Sequence, residues 1–426
     1  MLDIRMIRRE PERVREALLK RMDSVDLEPI MRADDEYRAA NTELEELRSE
    51  RNKLSQSIGQ ARAKGLASDE LMRRSEEVNA RIDMLEPALR VKQNTLDELL
   101  SVLPNLPAED VVAGGKEANQ VIRVHGSKPA VFDGALDHVA LSERLGLVDY
   151  ERGTKLGGAG FWIYTGRGAA LEWALLNYFC KLHYSRGYRF ILPPHILTTE
   201  NGYAAGQFPK FYDDVFHVRA GEGERERFLI PTAETPLLNI YRDEIVEGSQ
   251  LPMKLFAYTP CYRKEAGGAR SEERGTIRGH QFNKVEMFHF VEPEGAMASL
   301  HELLDTAEFI LKDLGLHFQT SKLAARDISA SMAMTYDVEV WLPSIGVYKE
   351  VSSVSWAGDF QARRARIRYR ERAQGTPRLL HTLNASGLAT SRLVPAILEQ
   401  CQLPGGRVAV PAPLRDWLGT DVLEPQ

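Results

Sequence analysis

The first hundred residues carry an apolar pattern that the rest of the chain does not share. Apolar side chains recur there every three or four positions in two successive runs, interrupted only by Arg51 in the first and by Ser75 and Lys92 in the second, which predicts two long amphipathic helices. The runs are Tyr37, Ala40, Leu44, Leu47, Leu54, Ile58 and then Leu71, Val78, Ile82, Leu85, Leu89, Leu96, Leu99. Gly59 and Gly65 lie between them and suit a helix end and a turn. The pattern predicts an antiparallel coiled-coil hairpin, whose second helix should bend at Pro87.

The remainder of the chain predicts a mixture of strands and helices. Prolines and glycines in residues 103–115 loosen the chain, so we expect a helical domain over 1–110 and a second domain over 111–426. Strands are predicted at RFILPPHIL, KLFAYTPCYR, NKVEMFHFVEP, TYDVEVWLP and GVYKEVSSVS. They lie close together in sequence, which favours an antiparallel sheet flanked by helices, an α+β fold. No GxGxxG or P-loop stands at a strand–helix junction, so neither common parallel-sheet nucleotide fold is predicted.

Composition places the chain among ordinary globular proteins. Of its 426 residues, 43% are hydrophobic and 27% charged, with a net charge of −6. This charge disfavours non-specific coating of nucleic acid but leaves local basic patches open. The three cysteines have neither metal-ligand nor disulfide spacing, which favours a reducing, cytoplasmic setting. No stretch suits a secretory leader or a membrane span, so no membrane partner is expected.

The distal half of the predicted hairpin is basic although the whole chain is acidic. Residues 48–74 hold seven bases against three acids, whereas residues 34–47 hold six acids against one base. The bases are Arg48, Arg51, Lys53, Arg62, Lys64, Arg73 and Arg74. They form either a solvated helix surface or an arm whose tip lies on a phosphate backbone.

Four polar stretches in the second domain combine residues with different chemical uses. They are FLIPTAETPL, YRKEAGGARSEERGTIRGHQFNKVE, YKEVSSVS and LNASGLATSRLVPAILEQ. Each has an ordinary explanation alone: a helix cap, an exposed ion pair, strand hydroxyls or a surface arginine. Together they supply arginines for a polyphosphate, carboxylates for a metal or an ammonium group, and an aromatic ring for a purine. The adenylation of an amino acid requires that combination, because the chemistry is mostly positioning and neutralisation of charge.

In this order the stretches resemble the seryl-tRNA synthetases, class II aminoacyl-tRNA synthetases of the bacterial type, over nearly the whole chain. GYRFILPPHI resembles the first class motif, YRKEAG with RGHQFNKVE the second, and NASGLATSR the third. TAE, EVSS and DFQARR match the seryl branch. The resemblance implies a class II catalytic domain on an antiparallel sheet, a homodimer formed through the first motif, and an N-terminal arm that holds the long variable arm of tRNA(Ser).

The resemblance also implies roles for individual residues. Arg263, Glu265 and Arg392 become the catalytic set. Serine would be bound by Thr232, Ala233, Glu234, Arg263, Glu286, Asn384 and Ser386. ATP would be bound by Arg263, Lys264, Glu265, Phe282, Glu350, Val351, Ser352, Ser353 and Arg392, with Glu350 and Ser353 as Mg²⁺ ligands. No zinc is expected, since no zinc ligand set is present.

The implied activity is ATP-dependent ligation of L-serine to tRNA(Ser) through seryl-adenylate, with serylation of selenocysteine tRNA as an extension. A buried acceptor such as Glu286 suits serine, because alanine would leave that acceptor unpaired at a large cost in free energy. No side chain need act as a nucleophile, since orientation and charge stabilisation supply the rate.

Three stretches depart from the pattern expected of the family: SSVSW at 352–356, ARSEERG at 269–275 and TSRLVP at 390–395. They keep alternatives open: a divergent copy for antibiotic resistance or for biosynthetic seryl-tRNA supply, a serine:carrier-protein ligase, or an inactive tRNA-binding paralogue. The arginines of ARRARIRYRER would form one basic face on a strand, either solvated or in contact with the tRNA acceptor stem.

Overall fold

The computed structural model describes residues 1–219, 221–265, 273–372 and 374–425. The chain divides into two compact units, Met1–Pro104 and Asn105–Gln426. Residues 266–272, which include the end of YRKEAG and the start of ARSEERG, lie outside the described residues. A search of the helices in the described ranges finds no candidate for a membrane span.

The first unit is helical and is dominated by one long hairpin. Its helices are α1 (Ile4–Arg9), α2 (Pro11–Leu19), α3 (Glu28–Ala63) and α4 (Asp69–Ser101). Leu44, Val78 and Ile82 are buried along the α3–α4 seam. Ion pairs from Glu36 to Lys92 and from Glu43 to Arg81 run between the helices in antiparallel order. The predicted antiparallel hairpin is therefore confirmed.

The details of the hairpin differ from the prediction at its glycines. Gly59 lies inside α3, which continues to Ala63, and only Gly65 lies in the turn, where its φ is 67°. Glycine is tolerated inside a helix when the packing of neighbouring turns outweighs its poor helix propensity. The helix α4 continues through Pro87.

The second unit mixes helices and strands. Its helices are α5 (His138–Arg144), α6 (Tyr150–Gly157), α7 (Gly166–Ser185), α8 (Thr199–Ala205), α9 (Glu234–Asn239), α10 (Ala296–Asp313), α11 (Phe360–Ala365), α12 (Thr390–Gln400) and α13 (Arg415–Leu418). Its strands are β1 (Gln120–His125), β2 (Val148–Asp149), β3 (Ile163–Tyr164), β4 (Arg189–Ile191), β5 (Ile196–Thr198), β6 (His217–Val218), β7 (Arg227–Leu229), β8 (Ile245–Glu247), β9 (Met253–Tyr262), β10 (Gln281–Val291), β11 (Phe318–Lys322), β12 (Met334–Leu342), β13 (Val347–Gly358), β14 (Arg368–Arg370), β15 (Arg378–Leu379), β16 (His381–Ala389), β17 (Gln402–Leu403), β18 (Arg407–Ala409) and β19 (Val422–Leu423).

The main sheet of this unit is antiparallel apart from one edge. Across the described residues it has eight strands in the order β1-β11-β12-β13-β16-β10-β9-β4. Every neighbouring pair is antiparallel except β4 and β9, which are parallel. This arrangement confirms the predicted α+β fold with an antiparallel sheet.

Strand β10 lies inside the sheet and is buried on both faces. Val285 and Met287 join a large core with residues of α7, α10 and α12. Phe288 and Phe290 face the other way and join a second core with residues of α9 and α11. Burial of each such side chain contributes about 1.5–3 kcal/mol. Glu286 shares the second face with the two phenylalanines, so a carboxylate ends an otherwise apolar row.

The arginine-rich segment is not one strand, and the predicted single basic face is wrong. Arg364 lies in α11 and donates to the carbonyl oxygens of Tyr203 and Phe208. Arg366 ends the helix in the left-handed conformation and pairs with Asp243 at 2.5 Å. The helix forms because its apolar residues Phe360, Ala362 and Ala365 are buried on one helical side, which outweighs the two-residue alternation of the arginines.

Candidate active site

The four polar stretches meet at one end of the central strands. Arg263 follows β9, Glu286 lies on β10, Asn384 on β16 and Glu350 on β13. These strands are consecutive neighbours in the sheet, so residues far apart in sequence become adjacent. Thr232 and Glu234 reach the same place from the start of α9. The sheet order, rather than sequence proximity, therefore assembles the site.

Two connected cavities open there. The larger, about 440 Å³, is lined by Thr232, Glu234 and Arg263 together with Gln207, Phe211, Asp214 and other residues. The smaller, about 70 Å³, is lined by Phe282, Lys284, Glu350, Ser386 and Arg392 among others. Arg263, Glu265 and Arg278 line both. The arrangement suits a ligand with two parts, one in each cavity, whose connection lies next to Arg263.

A polar cluster around Glu286 lies beside the larger cavity. Glu286 is 1% exposed, and Asn384 Nδ2 donates to its Oε1 at 2.9 Å. The Lys284 ammonium lies 2.7 Å from Oε2 and forms an ion pair with it. Lys284 also donates to Thr232 Oγ1 at 2.6 Å.

Two buried acceptors in this cluster can accept a further hydrogen bond. Asn384 Oδ1 has no hydrogen-bond donor within the described part of the chain, and Glu286 Oε2 is ion-paired there with Lys284 at 2.7 Å. Buried polar atoms are almost always paired, so an unpaired acceptor in a cavity indicates that a ligand supplies the donor. Two adjacent acceptors fit a small ligand that carries a hydroxyl and an ammonium group.

Glu234 forms the second carboxyl group of the cavity. Burial raises its pKa to about 7, and the charge of Glu286 adds to the increase, while Gln361, Lys284 and Arg263 oppose it. Gln361 Nε2 donates to Glu234 Oε1 at 2.6 Å and to the Ala205 carbonyl oxygen at 3.0 Å. Gln361 thus fixes Glu234. Sequence reasoning did not single it out, although it stands in the quoted DFQARR.

Thr232 belongs both to the turn before α9 and to the lining of the larger cavity. The backbone N–H of Glu234 donates to Thr232 Oγ1 at 3.3 Å, the arrangement expected of an ordinary helix start. The same hydroxyl accepts from Lys284. The Thr232 hydroxyl therefore stabilises the start of α9 and also takes part in the polar cluster of the cavity.

Arg263 and Glu265 are held apart rather than paired with each other. Arg263 Nε donates to the Pro231 carbonyl oxygen at 3.2 Å, and its guanidinium lies 5.2 Å from the centre of the Phe282 ring. Glu265 Oε2 lies 2.6 Å from Arg278 Nε, and its φ of 49° is in the left-handed region. Such a conformation costs about 1 kcal/mol or more for a residue with a Cβ and is characteristic of functional sites.

Arg278 is a further residue that sequence reasoning missed. It bridges Glu265 and Glu273, with its Nη1 at 2.8 Å from Glu273 Oε2. The next residue must be glycine, since a Cβ at Gly279 would lie 2.0 Å from Trp162 Cζ3. Arg278 stands in the quoted RGHQFNKVE, but only the fold reveals its partners.

Arg392 closes the smaller cavity against Glu350. Arg392 Nη1 donates to the Glu350 carbonyl oxygen at 2.9 Å and lies 3.3 Å from its Oε2. Burial tends to raise the pKa of Glu350, but the charges of Arg392 and Arg263 outweigh it and lower that pKa. Glu350 is thus kept in the charged form that a cation or an ammonium group would bind.

Oxygen atoms near Glu350 could take part in holding a divalent cation. Ser353 Oγ donates to Asp337 Oδ1 at 2.5 Å and lies 3.3 Å from Glu350 Oε1. Such hard oxygen donors are those that Mg²⁺ prefers. Within the described ranges no group of three or more His, Cys, Asp or Glu residues is arranged to hold a metal. The donors therefore suit a cation that arrives with phosphate oxygens as its other ligands.

The other predicted ligands are placed differently. Ala233 and Val351 are buried in the two cores, and Ser352 Oγ donates to the Ser386 carbonyl oxygen at 2.7 Å. Lys264 is exposed, and its backbone N–H donates to the Asp214 carbonyl oxygen. These four contribute to the shape of the site through backbone and packing.

The predicted tRNA-binding bases of the hairpin fall into two groups. Arg48 pairs with Glu45 and Glu86, Arg74 with Glu50 and Glu77, and Arg73 with Glu70. Across the described hairpin no carboxylate partner is found for the second group, which consists of Arg51, Lys53, Arg62 and Lys64. Arg62 contacts only the Met72 sulfur, at 3.3 Å. The net positive charge therefore lies on the second group.

Two of the unusual sequence stretches have local explanations. Trp356 Nε1 donates to His381 Nδ1 at 3.3 Å, and the described linings of both cavities do not include Trp356. Pro395 lies inside α12 and cannot donate to the Ser391 carbonyl oxygen one turn earlier. Thr276 Oγ1 donates to that oxygen at 2.8 Å instead. The loop after the second motif thus compensates for the proline.

Comparisons with known families agree with this geometry. The model of the tRNA synthetase class II core domain (G, H, P, S and T) matches residues 216–401. The model of the seryl-tRNA synthetase N-terminal domain matches residues 1–107. The fold, the cavities and these matches define a class II aminoacyl-tRNA synthetase.

Relatives narrow the assignment. Serine–tRNA ligase 2 of Clostridium acetobutylicum is 53% identical over 425 residues, which cover 99% of this chain and 100% of the relative. A serine–tRNA ligase of Desulfitobacterium hafniense (strain Y51) is 42% identical over 99% of this chain and 100% of its own length. The crystal structure of seryl-tRNA synthetase from Pyrococcus horikoshii complexed with ATP matches all of both chains with a TM-score of 0.90 and 32% identity. The chain belongs to the seryl-tRNA synthetase family, the aminoacyl-tRNA synthetases that ligate serine to tRNA.

Proposed function

We propose that the chain forms seryl-adenylate from L-serine and ATP in the two connected cavities and transfers the seryl group to tRNA(Ser). The observation that carries this proposal is a pair of buried acceptors beside a cavity that contains Arg263. Asn384 Oδ1 has no donor in the described part of the chain, and Glu286 Oε2, ion-paired with Lys284 at 2.7 Å, can accept a second hydrogen bond. Serine supplies a hydroxyl and an ammonium group to these acceptors and a carboxylate to the arginine. Alanine leaves one acceptor unpaired, and this loss discriminates strongly against it.

In this proposal ATP lies over the smaller cavity and extends past Arg263 and Glu265, which line both cavities. The P. horikoshii relative was crystallised with ATP, and the smaller cavity of this chain is lined by an aromatic ring, three arginines and two carboxylates. Phe282 stacks on the adenine, Glu265 accepts from its amino group, and Arg392 leaves Glu350 to contact phosphate. Mg²⁺ bound with ATP neutralises phosphate charge, and Glu350 and Ser353 are the residues that would hold it.

The first chemical step is an in-line displacement at the α-phosphate. The serine carboxylate oxygen attacks phosphorus, the bond to the bridging oxygen breaks, and pyrophosphate leaves. Arg263 lines both cavities and stabilises the charge that develops at the α-phosphate, while the Glu286 cluster orients serine. In the second step the terminal ribose hydroxyl of tRNA attacks the activated carbonyl carbon, and AMP leaves. Neither step uses a side chain as nucleophile.

The tRNA is held by the N-terminal hairpin in this proposal. The bases without acidic partners, Arg51, Lys53, Arg62 and Lys64, contact the phosphates of the long variable arm. A homodimer through the first motif is supported by exposed apolar side chains along α7, in β4 and just after it: Trp173, Tyr184, Phe190 and Leu192. The enzyme acts in the cytoplasm, where its three free cysteines stay reduced.

Two assays test the proposal. Serine-dependent exchange of pyrophosphate into ATP reports the first step, and attachment of labelled serine to purified tRNA(Ser) reports the second. We expect both, with exchange supported by serine far better than by alanine. Absence of exchange would support the inactive paralogue, whereas exchange without charging of tRNA would support the carrier-protein ligase.

Serylation of selenocysteine tRNA stays a prediction of the same proposal. That tRNA must present a long variable arm to the same hairpin bases. Charging of tRNA(Ser) and of selenocysteine tRNA by one preparation tests it directly. Charging of tRNA(Ser) alone would contradict the extension and leave the main proposal intact.

A further inference from the structure

Lys284 is a buried cation that lines the smaller cavity and contacts Thr232, a residue of the larger cavity. Its exposed fraction is 6%, and it lies on β10 between Phe282 and Glu286. Residues two apart on a strand share a face, so these three side chains form one row that runs from the smaller cavity to the Glu286 cluster. A buried ammonium group is costly unless it is paired, so its partners define its role.

The partners of Lys284 are both residues of the proposed serine pocket. Its ammonium nitrogen lies 2.6 Å from Thr232 Oγ1 and 2.7 Å from Glu286 Oε2. Thr232 belongs to the segment before α9, whereas Glu286 belongs to the sheet. One side chain therefore fixes the two walls of the pocket relative to each other.

The positive charge of Lys284 also offsets the repulsion between two neighbouring carboxylates. Glu286 is buried and Glu234 is half-buried, and Asn384 lies within hydrogen-bonding distance of both carboxylates, at 2.9 Å and 3.4 Å. Two carboxylates so close, with little exposure to solvent, repel each other. The ammonium group offsets that repulsion beside Glu286, and Oε2 keeps a second lone pair that can accept a hydrogen bond.

We propose that Lys284 is a positioning residue for amino-acid specificity: it holds the Glu286 carboxylate and the Thr232 hydroxyl so that Glu286 Oε2 is presented to the hydroxyl of serine. This inference rests on the proposed function. Lys284 acts through Glu286 and Thr232, and its removal should impair the recognition of serine while leaving the recognition of ATP nearly unchanged.

The test uses the full chain in the pyrophosphate exchange assay. K284M keeps the length of the side chain and removes its charge. We expect its kcat/KM for serine to fall at least 100-fold, its serine-to-alanine preference to fall at least 10-fold, and its KM for ATP to change less than 3-fold. K254M is the matched control, because Lys254 also lies in the sheet and pairs with Glu302 at 2.7 Å away from the cavities. It should behave as the wild type.

A double-mutant comparison separates this role from general support of the fold. If Lys284 acts through Glu286, the K284M substitution should lower kcat/KM for serine less than 3-fold in an E286Q background. An equal cost in both backgrounds, or a KM for ATP that rises as much as the KM for serine, would overturn the inference.

K284R provides a second variant if K284M does not fold. It keeps the charge, but a planar guanidinium cannot occupy the ammonium position between the two oxygens. We expect its serine-to-alanine preference to fall at least 5-fold, and an unchanged preference would overturn the inference. A wild-type chain without serine-dependent exchange would instead refute the proposed function on which the inference rests.

Discussion

Glu234 is the pocket residue whose charge changes near neutral pH. Burial, and then the nearby Glu286, raise its pKa to about 7. Below that pH it is protonated, and above it the carboxylate attracts the serine ammonium group. We therefore expect the KM for serine to decrease between pH 6 and 8 in the exchange assay. The E234Q variant should lose this dependence, and an identical pH profile in E234Q would contradict the assignment.

The same pKa predicts how folding stability depends on pH. The folded pKa is raised above the ordinary value of 4.5, so the folded state binds the proton more tightly than the unfolded state. The resulting stabilisation is complete below pH 4.5 and is lost as the pH rises through 7. Relative to the wild type, E234Q without ligands should therefore gain stability between pH 5 and 8, as measured by urea denaturation. Parallel curves for the two proteins would count against a raised pKa.

Arg278 positions Glu265, which adopts a strained backbone conformation. The R278M variant removes the cation that lies 2.6 Å from the Glu265 carboxylate. We expect the KM for ATP to rise about tenfold, as for the loss of one charge-assisted hydrogen bond of 1.5–3 kcal/mol, with a smaller change in the KM for serine. R366M is the control, since Arg366 pairs with the exposed Asp243. Equal effects of the two substitutions would exclude this role.

Single residues show where sequence reasoning reached its limit. The resemblance selected Glu286 and Arg263 because their neighbours in sequence form recognisable motifs. It did not select Lys284 or Gln361 for the serine pocket, although both stand inside quoted stretches. Their roles depend on partners that are distant in sequence: Thr232 for Lys284, and Glu234 for Gln361. Such pairs form only when strand register and helix packing are known.

At the scale of elements, α12 shows how an unusual residue is accommodated. Pro395 removes the helical donor to the Ser391 carbonyl oxygen, and Thr276 replaces it. We expect T276V to destabilise the protein by about 1–3 kcal/mol, because it leaves a buried acceptor unpaired. In a P395A background the backbone donor is restored, so T276V should lower the free energy of unfolding much less. Urea denaturation of the four proteins measures both values, and equal costs in the two backgrounds would contradict the link.

Hydrophobic patterns predicted those helices and strands whose conformation is determined mainly by burial of apolar side chains. Strand β10 was recognisable because its alternating residues fill two cores. The prediction of a strand for the arginine-rich segment was wrong because the alternating residues are polar, whereas its few apolar residues form one face of the helix α11. The prediction that the first helix ends at Gly59 was wrong for a related reason. A glycine often marks a turn, but Gly59 lies inside α3, which is held by packing at other positions of the α3–α4 seam.

At the scale of the whole molecule, the proposed function assigns tRNA binding to the helical unit and the chemistry to the second unit. Arg51, Lys53, Arg62 and Lys64 have no carboxylate partner in the described hairpin, whereas Arg48, Arg73 and Arg74 are paired with acids. Bases already paired with acids gain less from phosphate than unpaired ones. The two groups should therefore differ in their contribution to tRNA binding.

Replacing the four unpaired bases by glutamine should raise the KM for tRNA at least tenfold and make it less sensitive to salt, because fewer counterions are released on binding. Replacing the three paired arginines should have a smaller effect on both. Serine-dependent pyrophosphate exchange should stay within twofold of wild type in either variant, since it requires no tRNA. Equal losses of tRNA binding in the two variants would show that the acidic partners do not screen the paired arginines. A loss of exchange would show that the hairpin also supports the first chemical step.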